Sequence, residues 1–250
     1  MSEGSLRIHK FIARAGLCSR RAAEELVKQG LVSINGRVAE VGATVDPHSD
    51  KVLVEGRLVK APREETVTLI MNKPKGFLCT NRDPHGGDTV FDLVPPPFQQ
   101  LRLFCAGRLD KYSEGMVVLT NDGDLAHTIL HPSSRIIKKY QVTLTKPFPA
   151  SKRSLLLNGF EHEGEFLRAE KVILLPPVES DASVNLEVHL HHGRKREIRR
   201  LFEQSGYLVK RLRRFQIGKL TLKGLDKGRS RLLSKAQIRD LTTAARGESA

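Results

Sequence analysis

Between Lys60 and Thr66 the chain reads KAPREET, a polar stretch with a proline, and the hydrophobic rhythm differs on its two sides. Ahead of it, apolar residues recur at helical spacing and only then begin to alternate. Beyond it, alternation at period two dominates. A change of period across such a joint predicts a small domain over 1–62 and a larger one over 67–240, with a flexible tail over 241–250.

In LRIHKFIARAG, Leu6, Phe11, Ile12 and Ala15 share the inward side of a first helix, which Gly16 stops. Ser19 suits the N-cap of a second helix, RRAAEELVKQG, with Ala22, Ala23, Leu26 and Val27 inward and Gly30 at its end. LVSINGRVA then alternates around Asn35-Gly36, a favoured two-residue hairpin turn, and KVLVEGRLV repeats the pattern around Glu55-Gly56. Past Val67, the segments VTLIMNKP, LRLFCAG, MVVLTNDG, KKYQVTL, AEKVILL and VNLEVHLHHG read as strands. DLAHTILH and KREIRRLFEQSG read as helices, Pro95-Pro96-Pro97 as a loop and Asp122-Gly123 as a hairpin signal. The mixture predicts an α+β protein, a small helical and hairpin domain followed by a larger, mostly antiparallel mixed sheet with flanking helices.

Charge narrows the partners. The formal net charge is +14, yet residues 1–65 hold 11 Lys/Arg against 9 Asp/Glu, while residues 189–235 hold 15 against 3. A local excess of this size suits a polyanion, because each neutralised phosphate releases counterions. Gly193, Gly206, Gly218, Gly224 and Gly228 interrupt the basic stretch and argue against a membrane-surface helix. No apolar run approaches the roughly 18 residues of a membrane span, and MSEGSLRIHK lacks a signal-peptide core, so a cytoplasmic protein is expected. No helix-turn-helix or zinc-finger pattern points to DNA, and a monomer is expected. Cys18, Cys79 and Cys105 stand apart without a CxxC and read as ordinary reduced thiols. The histidines, including His189, His191 and His192, show no HExxH spacing, so no metal is expected. Lys73-Pro74-Lys75-Gly76 is not a phosphate-binding P-loop.

The segment that can carry chemistry is LFCAGRLDKYSEGMVVLTNDG. An apolar strand runs into Gly107-Arg108-Leu109-Asp110, and a second strand follows Gly115. A carboxylate on such a loop, near cations that hold it ionised, can act as nucleophile or base. It can equally form a turn-stabilising ion pair with Arg108, and the residues alone favour that simpler reading.

Two resemblances change the balance. LRIHKFIARAGLCSRRAAEELVKQGLVSINGRVA resembles an S4 domain, an RNA-binding module, over roughly residues 5–60. That implies binding of structured RNA through Arg14, Arg20, Arg21 and Lys28. GRLDKYSEGMVVLTNDGDLAH resembles the signature of the RsuA-like family of ribosomal RNA pseudouridine synthases. LIMNKPKGFLCTNRDPHGGDTVFDLVP, KKYQVTL and HHGRKREIRRLFEQSGYLVKRLRR resemble the family's other motifs, in the family's order. The resemblance implies Asp110 as catalytic carboxylate, Tyr140 as the aromatic stacking on the base, Arg199 as a cation paired with Asp110 and Ile198 as a pocket wall. Arg108 would position the backbone or nucleotide, and Arg194, Lys195 and Arg196 would meet phosphates. It implies isomerisation of uridine in ribosomal RNA, leaning to the large subunit, without a cofactor, on RNA or a ribosome-assembly intermediate. A non-catalytic assembly factor on the same scaffold is the alternative. Ser113 and Glu197 stand where many members have Thr and Gln, and GLDKGRSRLLS lacks the tryptophan often found near Ser230.

Overall fold

Two turn dipeptides set the geometry of the N-terminal region. Asn35 and Gly36 take φ of 51° and 81°, and Glu55 and Gly56 take 49° and 77°, the paired positive values whose twist matches a hairpin. The computed structural model describes residues 5–60, 66–81 and 83–244. It falls into two compact units divided between Thr66 and Val67. Residues 61–65 of the proline-containing joint and residues 245–250 of the expected tail lie outside the described residues.

In the first unit β1 (Leu6–Arg7) leads into α1 (Ile8–Arg14) and α2 (Arg20–Lys28). Then follow β2 (Val32–Ile34), β3 (Arg37–Val38), β4 (Thr44–Val45), β5 (Val52–Val54) and β6 (Arg57–Val59). The last hairpins form a sheet in the order β3-β2-β5-β6, and β1 pairs with β4. Ser19 caps α2, its hydroxyl accepting the Ala22 N–H at 3.2 Å. Ile8, Phe11, Ile12, Ala23 and Val27 close the core against Val32, Val45, Val52 and Val54. Ala22 is exposed, contrary to the sequence expectation. The helix turns Ala23 and Val27, four residues apart, onto the core stripe and rotates Ala22 off it.

The second unit opens with β7 (Thr68–Lys73), a short turn of helix α3 (Pro96–Gln99), β8 (Phe104–Cys105) and β9 (Glu114–Thr120). Next come α4 (Gly123–Leu130), β10 (Lys138–Pro149), α5 (Arg153–Asn158), β11 (Phe160–His162) and β12 (Glu165–Leu167). The chain continues through β13 (Lys171–Leu175), β14 (Ala182–Leu190), α6 (Glu197–Gln204), β15 (Val209–Ile217), β16 (Leu220–Thr221), β17 (Ser230–Leu232) and α7 (Lys235–Leu241). Among the described residues, nine strands form one sheet along β13-β14-β10-β15-β9-β7-β17, with β16 on β15 and β8 on β9. Only β15 and β9 run parallel within it, at Arg213 with Glu114 and Arg214 with Gly115. The α+β architecture with a mostly antiparallel mixed sheet is the one expected.

Both faces of the central strands are covered, which is why β7 and β9 are buried along their whole length. Leu69, Met71, Val117 and Leu119 face one side, joined by Tyr140, Val142, Val188 and the α6 residues Ile198, Leu201 and Phe202. Ile70, Met116 and Val118 face the other, under Leu125 and Ile129 of α4 and Leu241 of α7. Fully burying a side chain such as Phe202 contributes roughly 1.5–3 kcal/mol. Asp122-Gly123 makes no hairpin. The Asp122 carboxylate accepts the N–H groups of Asp124 and Leu125 at 2.9 and 3.0 Å and starts α4, because an aspartate before an apolar helical stripe caps as readily as it turns. No described helix is long and apolar enough to cross a membrane.

Candidate active site

Lys73, the last residue of β7, is a lysine with 0% exposure. A buried ammonium must satisfy its three donors, and Lys73 Nζ donates to the carbonyls of Pro74 (2.9 Å), Lys111 (3.2 Å) and Ser113 (2.8 Å). Burial lowers its pKa, while the nearby charges of Cys79, Glu114 and Asp110 act to raise it. Two of the three carbonyls belong to the turn just after Asp110. Three further bonds hold the same loop. Gly76 N–H donates to Lys111 O at 2.9 Å and Ser113 N–H to Asp110 O at 3.0 Å. Leu109 N–H meets Cys79 Sγ at 3.4 Å.

The loop from Gly107 to Ser113 is thus fixed through its backbone. The half-buried Asp110 carboxylate takes no hydrogen bond among the described residues. Arg108 is exposed and, among the described residues, forms no ion pair with Asp110 within 4.0 Å. The turn-stabilising pair is therefore replaced by the Lys73 clamp. Lys73 was missed in the sequence because its KPKG surroundings look like a surface turn. The available signal was a lysine directly continuing an apolar strand.

Leu109, Tyr140 of β10 and Ile198 of α6 lie in one apolar cluster, 8%, 6% and 4% exposed. Arg199, the next residue of α6, is half-buried and donates to Val209 O at 3.0 Å. Burial and the Arg196 charge lower its pKa, and the Asp110 and Glu203 charges oppose them. Arg199 therefore lies within electrostatic reach of Asp110, though among the described residues no ion pair within 4.0 Å joins them.

Glu197 explains how the basic loop before α6 is shaped. Its buried carboxylate accepts His192 Nδ1–H at 2.9 Å and Arg194 N–H at 3.1 Å. It also places negative charge in the helix's first turn, where the dipole favours it. Arg194, half-buried, and the exposed Lys195 and Arg196 gather there. In the first unit Arg14, Arg20 and Arg21 are exposed around the α1–α2 turn, Arg20 lying 3.1 Å from His9 Nε2. Lys28, at the far end of α2, has Glu24 and Glu25 beside it at 3.9 and 3.8 Å, so its charge is partly screened.

Among the described residues, Glu170, His191 and His192 bring potential metal-binding atoms within 4.8 Å of one another. Hydrogen bonds of His191 to Glu170 (2.8 Å) and of His192 to Glu197 (2.9 Å) account for that arrangement without an ion.

Lys138 opens β10 from a buried position, its Nζ donating to His191 O at 2.7 Å. Burial, then the Arg214 charge, push its pKa down to about 8, with Glu197 opposing. Between pH 8 and the ordinary 10.5 the unfolded chain holds a proton that the folded one has lost, so stability rises with pH across that window. Compared with a Lys138→Met variant, the parent should gain on the order of 1–3 kcal/mol there. Urea melts at both ends of the window measure it, and a pH-independent difference would show that the ammonium is not desolvated.

The family model described as RNA pseudouridylate synthase matches residues 67–204, and that of the S4 domain matches residues 6–52. An uncharacterized RNA pseudouridine synthase of Mycobacterium leprae (strain TN) is 37% identical over 95% of this chain and 93% of its own. The ribosomal large subunit pseudouridine synthase B of Bacillus subtilis (strain 168) is 35% identical over 96% of each. A crystal structure of a pseudouridylate synthase superposes with a TM-score of 0.67 at 31% identity, covering 94% of this chain and 99% of the other.

Proposed function

The chain belongs to the RNA pseudouridylate synthase family, and from that premise we propose that it converts a specific uridine of large-subunit ribosomal RNA to pseudouridine, with Asp110 as the reacting carboxylate. In this isomerisation the N1–C1′ bond breaks, the uracil turns, C5 joins C1′ and the C5 proton leaves. The observation that carries the assignment is the division of labour in the loop. Lys73 holds the backbone through three carbonyls, while the Asp110 side chain takes no hydrogen bond among the described residues.

A stacked uridine must leave its helix first, at a few kcal/mol. An aromatic platform returns about 1–3 kcal/mol of that, the role proposed for Tyr140. Arg199 offers positive charge to the Asp110 region or to a phosphate. Arg108, Arg194, Lys195 and Arg196 face the surrounding nucleotides, and Arg14, Arg20, Arg21 and Lys28 hold structured RNA on the first unit. On this reading the enzyme works as a cytoplasmic monomer and needs no cofactor.

The proposal is tested by mapping pseudouridine in ribosomal RNA from cells with and without the protein, complemented by the parent or by Asp110→Asn. One site should vanish and return only with the parent. A site restored by the variant removes Asp110 from the chemistry. If no site is lost, the assembly-factor alternative replaces the enzyme reading of ribosomal RNA. Separately, replacing Arg20 and Arg21 together by alanine should weaken binding of ribosomal RNA by about tenfold at moderate salt. The slope of log K against log salt should flatten by about 1.5, as expected for two lost phosphate contacts. An unchanged slope would place the phosphate contacts elsewhere.

A further inference from the structure

β10 turns Tyr140 and Val142 to its apolar side, so Gln141 and Thr143, which alternate with them, face the other side of the sheet. There they stand in register with Arg213 and Arg211 of β15 and with Glu187 and Asn185 of β14. A cavity of about 220 Å³ opens among Gln141, Thr143, Asn185, Arg211 and Arg213, with Leu175 as an apolar end. The hydrogen bonds around it decide what it can take. Thr143 Oγ1 donates to Asn185 Oδ1 at 3.1 Å, and Arg213 Nη1 donates to Gln141 Oε1 at 3.2 Å. Each amide thus commits its acceptor oxygen to a neighbour, while its NH2 group takes no acceptor among the described residues. Arg211 donates through Nε to Glu114 Oε2 at 2.6 Å and stays exposed beyond it. The nearby carboxylates are engaged, Glu114 by Arg211 and by Lys227 at 2.7 Å, and Glu187 by His189 Nε2 at 2.6 Å. What the groove offers a ligand is two NH2 groups and two guanidinium edges, all donors.

We propose that this groove holds a backbone phosphate of the substrate RNA, on the face of β10 opposite the one that carries Tyr140. A phosphate accepts hydrogen bonds and donates none, and its bonds to guanidinium groups are charge-assisted. A chain of phosphates suits the surface better than a single small anion. Two residues before Gln141, roughly 7 Å along the strand, Lys139 of β10 and Lys171 of β13 flank His189 and continue the positive strip. Arg211, Arg213 and Lys227 also belong to the basic stretch of residues 189–235, and the proposed catalytic side employs none of the three. An anchor at this distance from the chemistry acts on the binding of RNA and not on the reacting uridine, so it lowers KM and leaves kcat alone.

The identity of the ligand rests on the proposed action on ribosomal RNA; the donor geometry does not. Binding of the full-length protein to ribosomal RNA from cells lacking it is measured across a salt series, with inorganic phosphate and uridine monophosphate as separate probes. Gln141→Glu and Asn185→Asp each turn a free NH2 donor into a carboxylate of the same size. Gln141 is exposed and Asn185 half-buried, and the first change gives Arg213 an ion-pair partner, so the double variant should melt as the parent does. It should bind ribosomal RNA about tenfold more weakly, the scale of one charge-assisted hydrogen bond. KM for pseudouridine formation should rise by a similar factor, with kcat within about twofold of the parent. Arg213→Gln should flatten the slope of log K against log salt by about 0.7–0.9, the loss of one phosphate contact, and Arg213→Lys should keep the slope. Unchanged RNA affinity and slope in the folded variants, with the parent binding, overturn the groove and leave the ribosomal RNA reading standing. Tight binding of inorganic phosphate or uridine monophosphate that the double variant abolishes, with RNA affinity unchanged, assigns the groove to a small phosphorylated ligand and overturns its role toward RNA. A parent that does not bind ribosomal RNA overturns both.

Discussion

An Asp110→Asn protein should bind ribosomal RNA as the parent does and form pseudouridine at least ~10⁴-fold more slowly, the usual scale for removing the group that bonds to or deprotonates the substrate. The substitution is close to isosteric. Because the Lys73 clamp grips the carbonyls of Pro74, Lys111 and Ser113 and not the Asp110 side chain, the loop should keep its shape. Melting temperature and RNA affinity are therefore controls as informative as the rate. A large fall in either would make Asp110 a structural residue, and a rate within tenfold of the parent would return the loop to the role of scaffold. Asparagine keeps the size and polarity of the side chain and removes its charge, so the comparison isolates that charge.

The second large effect lies one strand further on. Gly115→Ala should lower stability by roughly 3–5 kcal/mol, combining a strained φ and an overpacked contact. For a protein of this length the midpoint of thermal unfolding should fall by about 10 °C. Gly115 has φ +107°, and a Cβ there would sit 2.1 Å from Arg214 O and 2.8 Å from Arg214 N. Neither neighbour can withdraw. Gly115 pairs with Arg214 in the parallel ladder of β9 and β15, and Arg214 Nε donates to Met116 O at 2.8 Å. Gly107→Ala provides the contrast. Its φ is +96°, but the nearest atom is a Leu130 side-chain methyl at 3.4 Å, so only the backbone strain of roughly 1–3 kcal/mol applies. Equal losses at the two glycines would contradict the close approach of β9 and β15.

What could be read from the sequence was whatever is local. Asn35-Gly36 and Glu55-Gly56 carry their turns in two residues. Ile198, Leu201 and Phe202 announce a buried helical stripe by spacing alone. Asp110 drew notice through the pattern around it. What could not be read depends on partners distant in the chain. Lys73 is buried only because residues 111–113 fold back over it. VKRLRRFQI, absent from the segments read as strands, becomes β15 because β10 and β9 offer it two ladders. The hairpin of β11 and β12 turns at Glu163 and Gly164, with φ of 51° and 74°, the same device as Glu55-Gly56, but charged residues on both sides mask its alternation.

The place of β15 bears on how the protein is made. Until it is inserted, the sheet is two fragments, β13-β14-β10 on one side and β9-β7 on the other. The ladder that unites them pairs Gly115 with Arg214, a contact of long sequence separation that forms late and slowly. A ribosome synthesising this chain releases the Asp110 loop and the Tyr140 strand well before the strand that joins them. Chains made only as far as α6 therefore hold every group of the proposed site before β15 can join the two fragments.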